Sequence, residues 1–462
     1  MIGSPGSSGR TFQGKRVHVI GLGAYGTGRE VARVLAARGA EVTVSDIKPP
    51  LELEDEIAAL SDTEVRVQAG DAAYRGIEGA DLIVPSPGVP LDIPPLLRAR
   101  ELGIEVVSEI EVAYWIAPCP IIAVTGTKGK STTTTLIGEI LRDEGRKVAV
   151  GGNIGRPLIA LADRATADEV LVAEVSSFQL DATDEFRPKV AVLLNLFPDH
   201  LDRHASMAEY RTAKARLFAN QRPEDAAVIN RDNPEAWALR ALTKAALVPF
   251  GLSQALSDGA DISGGWMRVK GKQVCSVGAV RLRGRHNLSN ALAALAAAQA
   301  AGASLTKAAD TLARFEGLEH RLELAAVAEG VTYVNDSQAT TPDAAVVALE
   351  AFAEHVVLIA GGRPKVHDFS VLAQTIAKRG SDLVVMGEAA EEIAAAARAA
   401  GVGVVETAAD LSEAVARARR HARAGDVVLL SPACASFDMF RNMAERGRSF
   451  KEITRMLASS RG

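Results

Sequence analysis

The stretch IIAVTGTKGKSTTTTLIGEIL, residues 121–141, decides how the chain is read. It opens with an apolar run too short for a helix and suited to a buried strand. A glycine-rich loop follows, and after Ser131 the apolar residues take up a helical period. Strand, glycine loop and helix in that order make a phosphate cradle. Backbone N–H groups wrap the oxygens and the positive end of the helix dipole faces the anion. The common spacing, G-x-x-x-x-G-K-[ST], requires glycine at position 124, where Val124 stands, so this loop is a shortened form. Gly126, Thr127, Lys128, Gly129 and Thr132 frame it; Lys130 offers a point charge to the β/γ-phosphates and Ser131 a hydroxyl to Mg²⁺. The prediction is a site for a nucleoside triphosphate with Mg²⁺. A threonine-rich helix cap with a surface lysine is the plain structural alternative.

A second glycine-rich turn lies upstream. GLGAYG, residues 21–26, follows a strand and precedes a helix from about 26 to 38, and Asp46 ends the next strand. By pattern this is a dinucleotide fingerprint with Gly23, Ala24 and Tyr25 in the turn. NAD, another nucleotide diphosphate and a purely structural turn all fit it.

Around these turns the chain shows three runs of alternating strand and helix patterns, an α/β fold with parallel sheets. The first covers 16–107 and includes the turn SPGVP at 86–90. The second begins at 121 and continues through KVAV, VLVAEVSS and VAVLLNL. Around 261–285 short alternating segments with glycine turns suggest an antiparallel appendage, before the helix HNLSNALAALAAAQAAG. The third begins near 318 and closes with a helix to about 458.

With 462 residues and a formal net charge of −5 spread along the chain, no basic stripe marks a nucleic-acid partner. No apolar run reaches the roughly 18 residues of a membrane span, so no membrane insertion is expected. Cys119, Cys275 and Cys434 are far apart in sequence, as reduced thiols of a cytoplasmic protein would be. Residues 1–14 read as a flexible leader.

Further candidates sit at or just past strand ends. GGNIG frames Asn153, and AEVSSFQLD places Glu174 late in a buried strand, where an unpaired carboxylate is costly unless it meets a cation or caps a neighbouring helix. NLFPDHLDRH gathers Asp199, His200, Asp202 and His204, and Lys214 lies on a helix. Asn287 and Asn290 share a helix face, placed to read a base or to cap the helix.

In this order the motifs resemble the Mur ligases, the ATP-dependent amide-bond formers of peptidoglycan assembly. GTKGKST, NIGRP, EVSSFQLD, PDHLDRH, AKARLF, GLEHRLE and above all LLSPACASFDMFRNMAERGRSF carry the resemblance over essentially the whole chain after the leader. It implies a Rossmann-like UDP-binding domain over 15–108, a central P-loop ATP-binding domain over 109–317 and a Rossmann-like amino-acid-binding domain over 318–462. The implied reaction is addition of D-glutamate to UDP-N-acetylmuramoyl-L-alanine by a cytoplasmic monomer. Lys130 and Ser131 would hold the ATP phosphates and Mg²⁺, with Glu174 and His200 as metal ligands. Lys214 would be carbamoylated and add a carboxylate to the metal. Asn287, Asn290, Arg321 and Asp336 would contact the nucleotide, with His320 at the hinge. Gly23, Ala24, Tyr25, Asp46, Lys48, Gly88 and Asn153 would hold the UDP substrate. Thr340, Lys365, Ser436 and Phe437 would receive glutamate. The family reads N-D-S-K-A-T-N where this chain reads NDSQATTP. Gln338 and Thr341 therefore replace a lysine and an asparagine, and glutamate must lean on Lys365 or on a cation such as Arg363. L-Glutamate or another acceptor is the alternative within the superfamily, and an NAD-dependent oxidoreductase the alternative outside it.

Overall fold

Three sheets follow one another along the chain in the computed structural model, which describes residues 10–22, 26–199, 203–282 and 284–459. Gly23, Ala24, Tyr25, His200 and Asp202 lie outside the described residues. The first sheet is parallel throughout, with β1 (Arg16–Ile20), β2 (Glu41–Asp46), β3 (Arg66–Ala69), β4 (Leu82–Pro85) and β5 (Glu105–Val106) in the order β3-β2-β1-β4-β5. The chain moves outward from β1 to β3 and then returns past β1 to β4, so a crevice opens beyond the C-terminal ends of β1 and β4.

The second sheet has nine strands: β6 (Ile121–Thr125), β7 (Lys147–Gly152), β8 (Glu169–Glu174), β9 (Val190–Leu193), β10 (Ala226–Asn230), β11 (Ala246–Phe250), β12 (Ala260–Ser263), β13 (Trp266–Val269) and β14 (Lys272–Ser276). Their order is β14-β13-β12-β11-β10-β9-β6-β8-β7. β6 is flanked by β8 and β9, which puts its C-terminal end at the switch point of the sheet. The expected antiparallel appendage is real in its pairing but not separate. β12 joins β11 at Phe250 and Ala260, and the hairpins extend the same sheet.

The first two sheets belong to one unit, residues up to 280 together with 286–314. A single apolar core runs from Val19 and Leu35 through the helix Glu109–Ile116 to Ile121 and Leu193. Two glutamates on that helix are buried and used as caps. Glu111 accepts from the backbone N–H groups of Asp184, Glu185 and Phe186, and Glu109 from that of Ile159. The expectation of a flexible leader over 1–14 fails for its last five residues. Phe12 is buried against Trp115, and Arg10 lies over the Trp115 ring while pairing with Glu105 and Glu185.

The other unit, 281–285 with 315 onward, holds the third sheet. β15 (Glu323–Ala328), β16 (Val331–Asn335), β17 (Val356–Gly361), β18 (Asp382–Met386), β19 (Val405–Thr407) and β20 (Val427–Leu430) run in the order β15-β16-β20-β17-β18-β19. Only β15 is antiparallel to its neighbour. β20 lies between β16 and β17, so the loops leaving these three strands emerge side by side.

Candidate active site

The loop after β6 needs glycine at two places, since Gly126 has φ 155° and Gly129 φ 87°. Asn195, just past β9, holds it in shape. Its Oδ1 accepts from the N–H groups of Thr127 (3.1 Å) and Lys128 (2.9 Å), and its Nδ2 donates to the Lys128 carbonyl (3.0 Å). The Thr127 hydroxyl lies 3.1 Å from the Tyr210 hydroxyl and accepts from Phe197 N–H at 3.0 Å. At Gly129 a Cβ would collide with the Asn290 amide, so the helix Arg285–Ala300 starts against the loop. Asn290 Nδ2 in turn donates to Asn287 Oδ1 (3.1 Å), placing both predicted base-contacting residues beside the cradle. The Lys130 ammonium folds over the loop and donates to the carbonyls of Gly126 (3.0 Å) and Thr127 (2.9 Å). Ser131 and Thr132 open the helix Lys130–Asp143 and are buried.

Beside this loop lies Glu174, 2% exposed, at the end of β8. Its Oε1 accepts from Asn153 Nδ2 at 2.9 Å, while its buried Oε2 has no hydrogen-bond partner among the described residues. An orphaned buried carboxylate oxygen is costly, and a hard cation satisfies it, so the donor set of Glu174 and the Ser131 hydroxyl fits Mg²⁺. Lys214 is buried with Nζ donating to Thr125 Oγ1 (3.2 Å) and the Gly126 carbonyl (3.1 Å). Burial, reinforced by the charge of Lys130, holds its pKa well below that of an ordinary lysine. The site thus presents an amine that sheds its proton readily. Of the clustered residues 199–204, His204 is engaged elsewhere. It stacks on Phe178 and its Nε2 lies 3.0 Å from Ser177 Oγ.

A cleft of about 430 Å³ separates the turn Pro85–Leu91 from Phe178, Arg203, His204 and Arg216. Arg203 spans it, donating to the Gly88 carbonyl at 3.0 Å with its guanidinium over the Phe178 ring. At the head of the first sheet, Ser86 Oγ donates to the Gly21 carbonyl (2.6 Å). Asp46 accepts from Leu22 N–H through one oxygen and from Lys48 N–H through the other, each at 3.0 Å. Asp46 ends β2 and Lys48 follows it, while Gly88 follows β4; these are the two strands on either side of β1.

In the other unit, Asp336 is buried at the end of β16, accepting from Ser431 Oγ (2.8 Å) and Leu322 N–H (3.2 Å). Burial pushes its carboxyl up to about 7. His320 takes φ 65° and its Nδ1 lies 2.9 Å from Asn335 Nδ2. A Cβ at Gly447 would strike the imidazole. Glu319, His320 and Glu323 form a cluster of metal-ligating types, but the Lys451 ammonium already bridges the two carboxylates at 2.7 and 2.8 Å. Lys365 Nζ donates to Thr340 Oγ1 (3.0 Å), Ser436 is buried and Phe437 is exposed. Arg363, the sequence-based alternative cation, is taken by Glu388 at 2.8 Å.

Family models describe the same three parts. The MurD-like N-terminal domain matches residues 15–108, the Mur ligase middle domain 124–298 and the Mur ligase glutamate ligase domain 320–434. A relative from Pelotomaculum thermopropionicum is 49% identical over 448 residues, covering 96% of this chain and 98% of its own. This chain belongs to the Mur ligase family. The Pelotomaculum protein is named UDP-N-acetylmuramoylalanine–D-glutamate ligase. So is a relative from Geotalea daltonii, 44% identical over 97% of this chain and 98% of its own. Among solved structures, a UDP-N-acetylmuramate–alanine ligase from Thermotoga maritima shares the fold, with a TM-score of 0.59 at 19% identity, covering 95% of this chain and 98% of that one.

Four further residues support the loops of this Mur ligase, and two of them, Arg203 and Arg446, lie within the motifs PDHLDRH and LLSPACASFDMFRNMAERGRSF. Asn195 and Tyr210 latch the phosphate loop, and Arg203 bridges to Gly88. Arg446 sits inside the third sheet's loops. Asn195 is the one polar member of the apolar run VAVLLNL.

Proposed function

We propose that this Mur ligase uses ATP and Mg²⁺ to join D-glutamate to UDP-N-acetylmuramoyl-L-alanine. The observation that carries the reading is the orphaned Glu174 Oε2 beside a latched phosphate loop, two halves of a metal-nucleotide site. The UDP-substrate residues other than Asn153 would fall within 15–108, the ATP residues other than Arg321 and Asp336 within 109–317, and the glutamate residues within 318–462. The terminal L-alanine carboxylate attacks the γ-phosphate of ATP, giving an acyl phosphate and ADP. The α-amine of glutamate then attacks the acyl carbonyl, and the tetrahedral adduct expels phosphate. A carboxylate is a poor electrophile, so phosphorylation supplies the activation, and the protein contributes positioning and charge neutralisation. Lys130 would leave its loop carbonyls for phosphate oxygens. Glu174, Ser131 and Lys214, the last if carbamoylated, would hold Mg²⁺, whose charge neutralises the phosphates. Asp46, Lys48 and Gly88 would seat the UDP end. Thr340, Lys365 and Ser436 would bind glutamate.

ATP and UDP-linked precursors place the reaction in the cytoplasm, and no helix among the described residues is long and apolar enough to cross a membrane. The test is phosphate release with ATP, Mg²⁺ and UDP-N-acetylmuramoyl-L-alanine. The expected result is release that depends on D-glutamate. Preference for L-glutamate would favour the second reading, which rests on the neutral Gln338, and release with neither would overturn both.

A further inference from the structure

Glutamate carries two carboxylates, and the loops assigned to it above are short of cations. Gln338 is neutral, and its amide oxygen accepts from Arg321 Nε at 3.3 Å while its N–H donates to the His320 carbonyl at 3.1 Å. Arg363 is neutralised by Glu388. Lys365 is exposed.

Beneath these loops lies Arg446, on the helix Met443–Ser459, with 1% of its surface exposed. Its Nε donates to Ser337 Oγ (3.0 Å), and Nη2 donates to the carbonyls of Ser337 (3.0 Å) and Cys434 (3.1 Å). Its Nη1 reaches the Ala435 carbonyl at 3.4 Å and packs so closely on Gly362 that a Cβ there would sit 3.2 Å away. One guanidinium therefore touches all three loops that leave β16, β20 and β17. Thr340 is three residues from Ser337, Ser436 is next to Ala435, and Lys365 is three residues from Gly362. All its acceptors are neutral. Asp438, the acid whose field reaches it, accepts instead from Glu388 N–H. Burial lowers the Arg446 pKa only to about 10, so the charge persists at neutral pH. A buried charge without a carboxylate partner is expensive, and a site that binds an anion gives it a use.

We propose that Arg446 is the positioning residue of the amino-acid site: it sets the spacing of Thr340, Ser436 and Lys365, and its charge, hydrogen-bonded to no carboxylate among the described residues, serves the anionic amino acid where Gln338 is neutral. The inference rests on the glutamate-ligase reading. Its test is Arg446→Lys in the full chain, with phosphate release measured while each substrate is varied separately. The KM for glutamate should rise about tenfold or more, as for loss of hydrogen bonds from a charged group, while those for ATP and the UDP substrate stay within about twofold. A purely structural role would lower the melting temperature without singling out glutamate, and an unmoved glutamate KM would overturn the inference. If Arg446→Lys does not fold, Ser337→Ala removes one acceptor and should raise the same KM about threefold, with no rise counting against the proposal. The charge is tested by Arg446→Gln, which removes it, with and without Gln338→Lys. Recovery of most of the glutamate KM supports it, and no recovery overturns that part. Wild-type protein silent with both glutamates would overturn the functional reading itself. Wild-type turnover with an unmoved KM in Arg446→Lys would overturn the inference alone.

Discussion

After β1, Gly21 turns the chain with φ 82°, its carbonyl is tied down by Ser86, and Gly28 packs so tightly that a Cβ would strike that carbonyl. After β6, Gly126 and Gly129 do the turning, but the loop they shape is gripped by Asn195 and carries Lys130 over its own carbonyls. The first turn has its acid, Asp46, satisfied by two backbone N–H groups and brings no lysine of its own within the glycine pattern. The second has an ammonium hydrogen-bonded to the loop's own carbonyls and, at the end of the neighbouring strand, a buried carboxylate oxygen without a hydrogen-bond partner among the described residues. Two glycine patterns that read alike thus differ in charge. A uridine diphosphate end needs a surface to lie on, whereas phosphoryl transfer needs cations where negative charge develops.

That contrast can be broken most severely at Lys130. Lys130→Ala should cut turnover by about a thousandfold or more with an unchanged melting temperature, since the lost charge acts on the transferring phosphate. Near-normal rates would erase the distinction between the turns. The next effect belongs to the first sheet. His18 on β1 is buried with Nε2 2.5 Å from Ser45 Oγ, and burial lowers its pKa from 6.5 to about 4. The folded state keeps the ring neutral while the unfolded chain protonates it, so stability is lost as pH falls from 6.5 to 4. The loss is about 3 kcal/mol at most. Wild type should show this slope in denaturant titrations, and His18→Gln should lack it. Smallest is Asn195→Ala, which frees the loop without removing a charge. It should raise the KM for ATP about tenfold and leave that for the UDP substrate alone, read from initial rates.

The order of the strands' apolar runs and both glycine turns were legible because period and turn chemistry are local. β3, half-exposed and four residues long, gave no such pattern, and β15 joins the third sheet only by antiparallel pairing with β16. Within the site, Lys130 and Glu174 stood out as charges in glycine-rich or apolar settings, and Lys214 chiefly through the family resemblance. Asn195 and Arg446 did not, because their roles depend on carbonyls and amides brought near only by the sheet order. Asn153 stood out by its glycine frame, and its hydrogen bond to Glu174 is seen only in the folded sheet. Phe12 escaped notice because a short polar stretch hides its burial in the core.

The most direct test of the account is calorimetric titration of ATP with Mg²⁺, and separately of UDP-N-acetylmuramoyl-L-alanine, into wild type, Lys130→Ala and Asp46→Ala. The account predicts a crossed result. Lys130→Ala should lose ATP affinity and keep the UDP substrate, and Asp46→Ala should do the reverse. Loss of both ligands in either variant, or of neither in both, would contradict it.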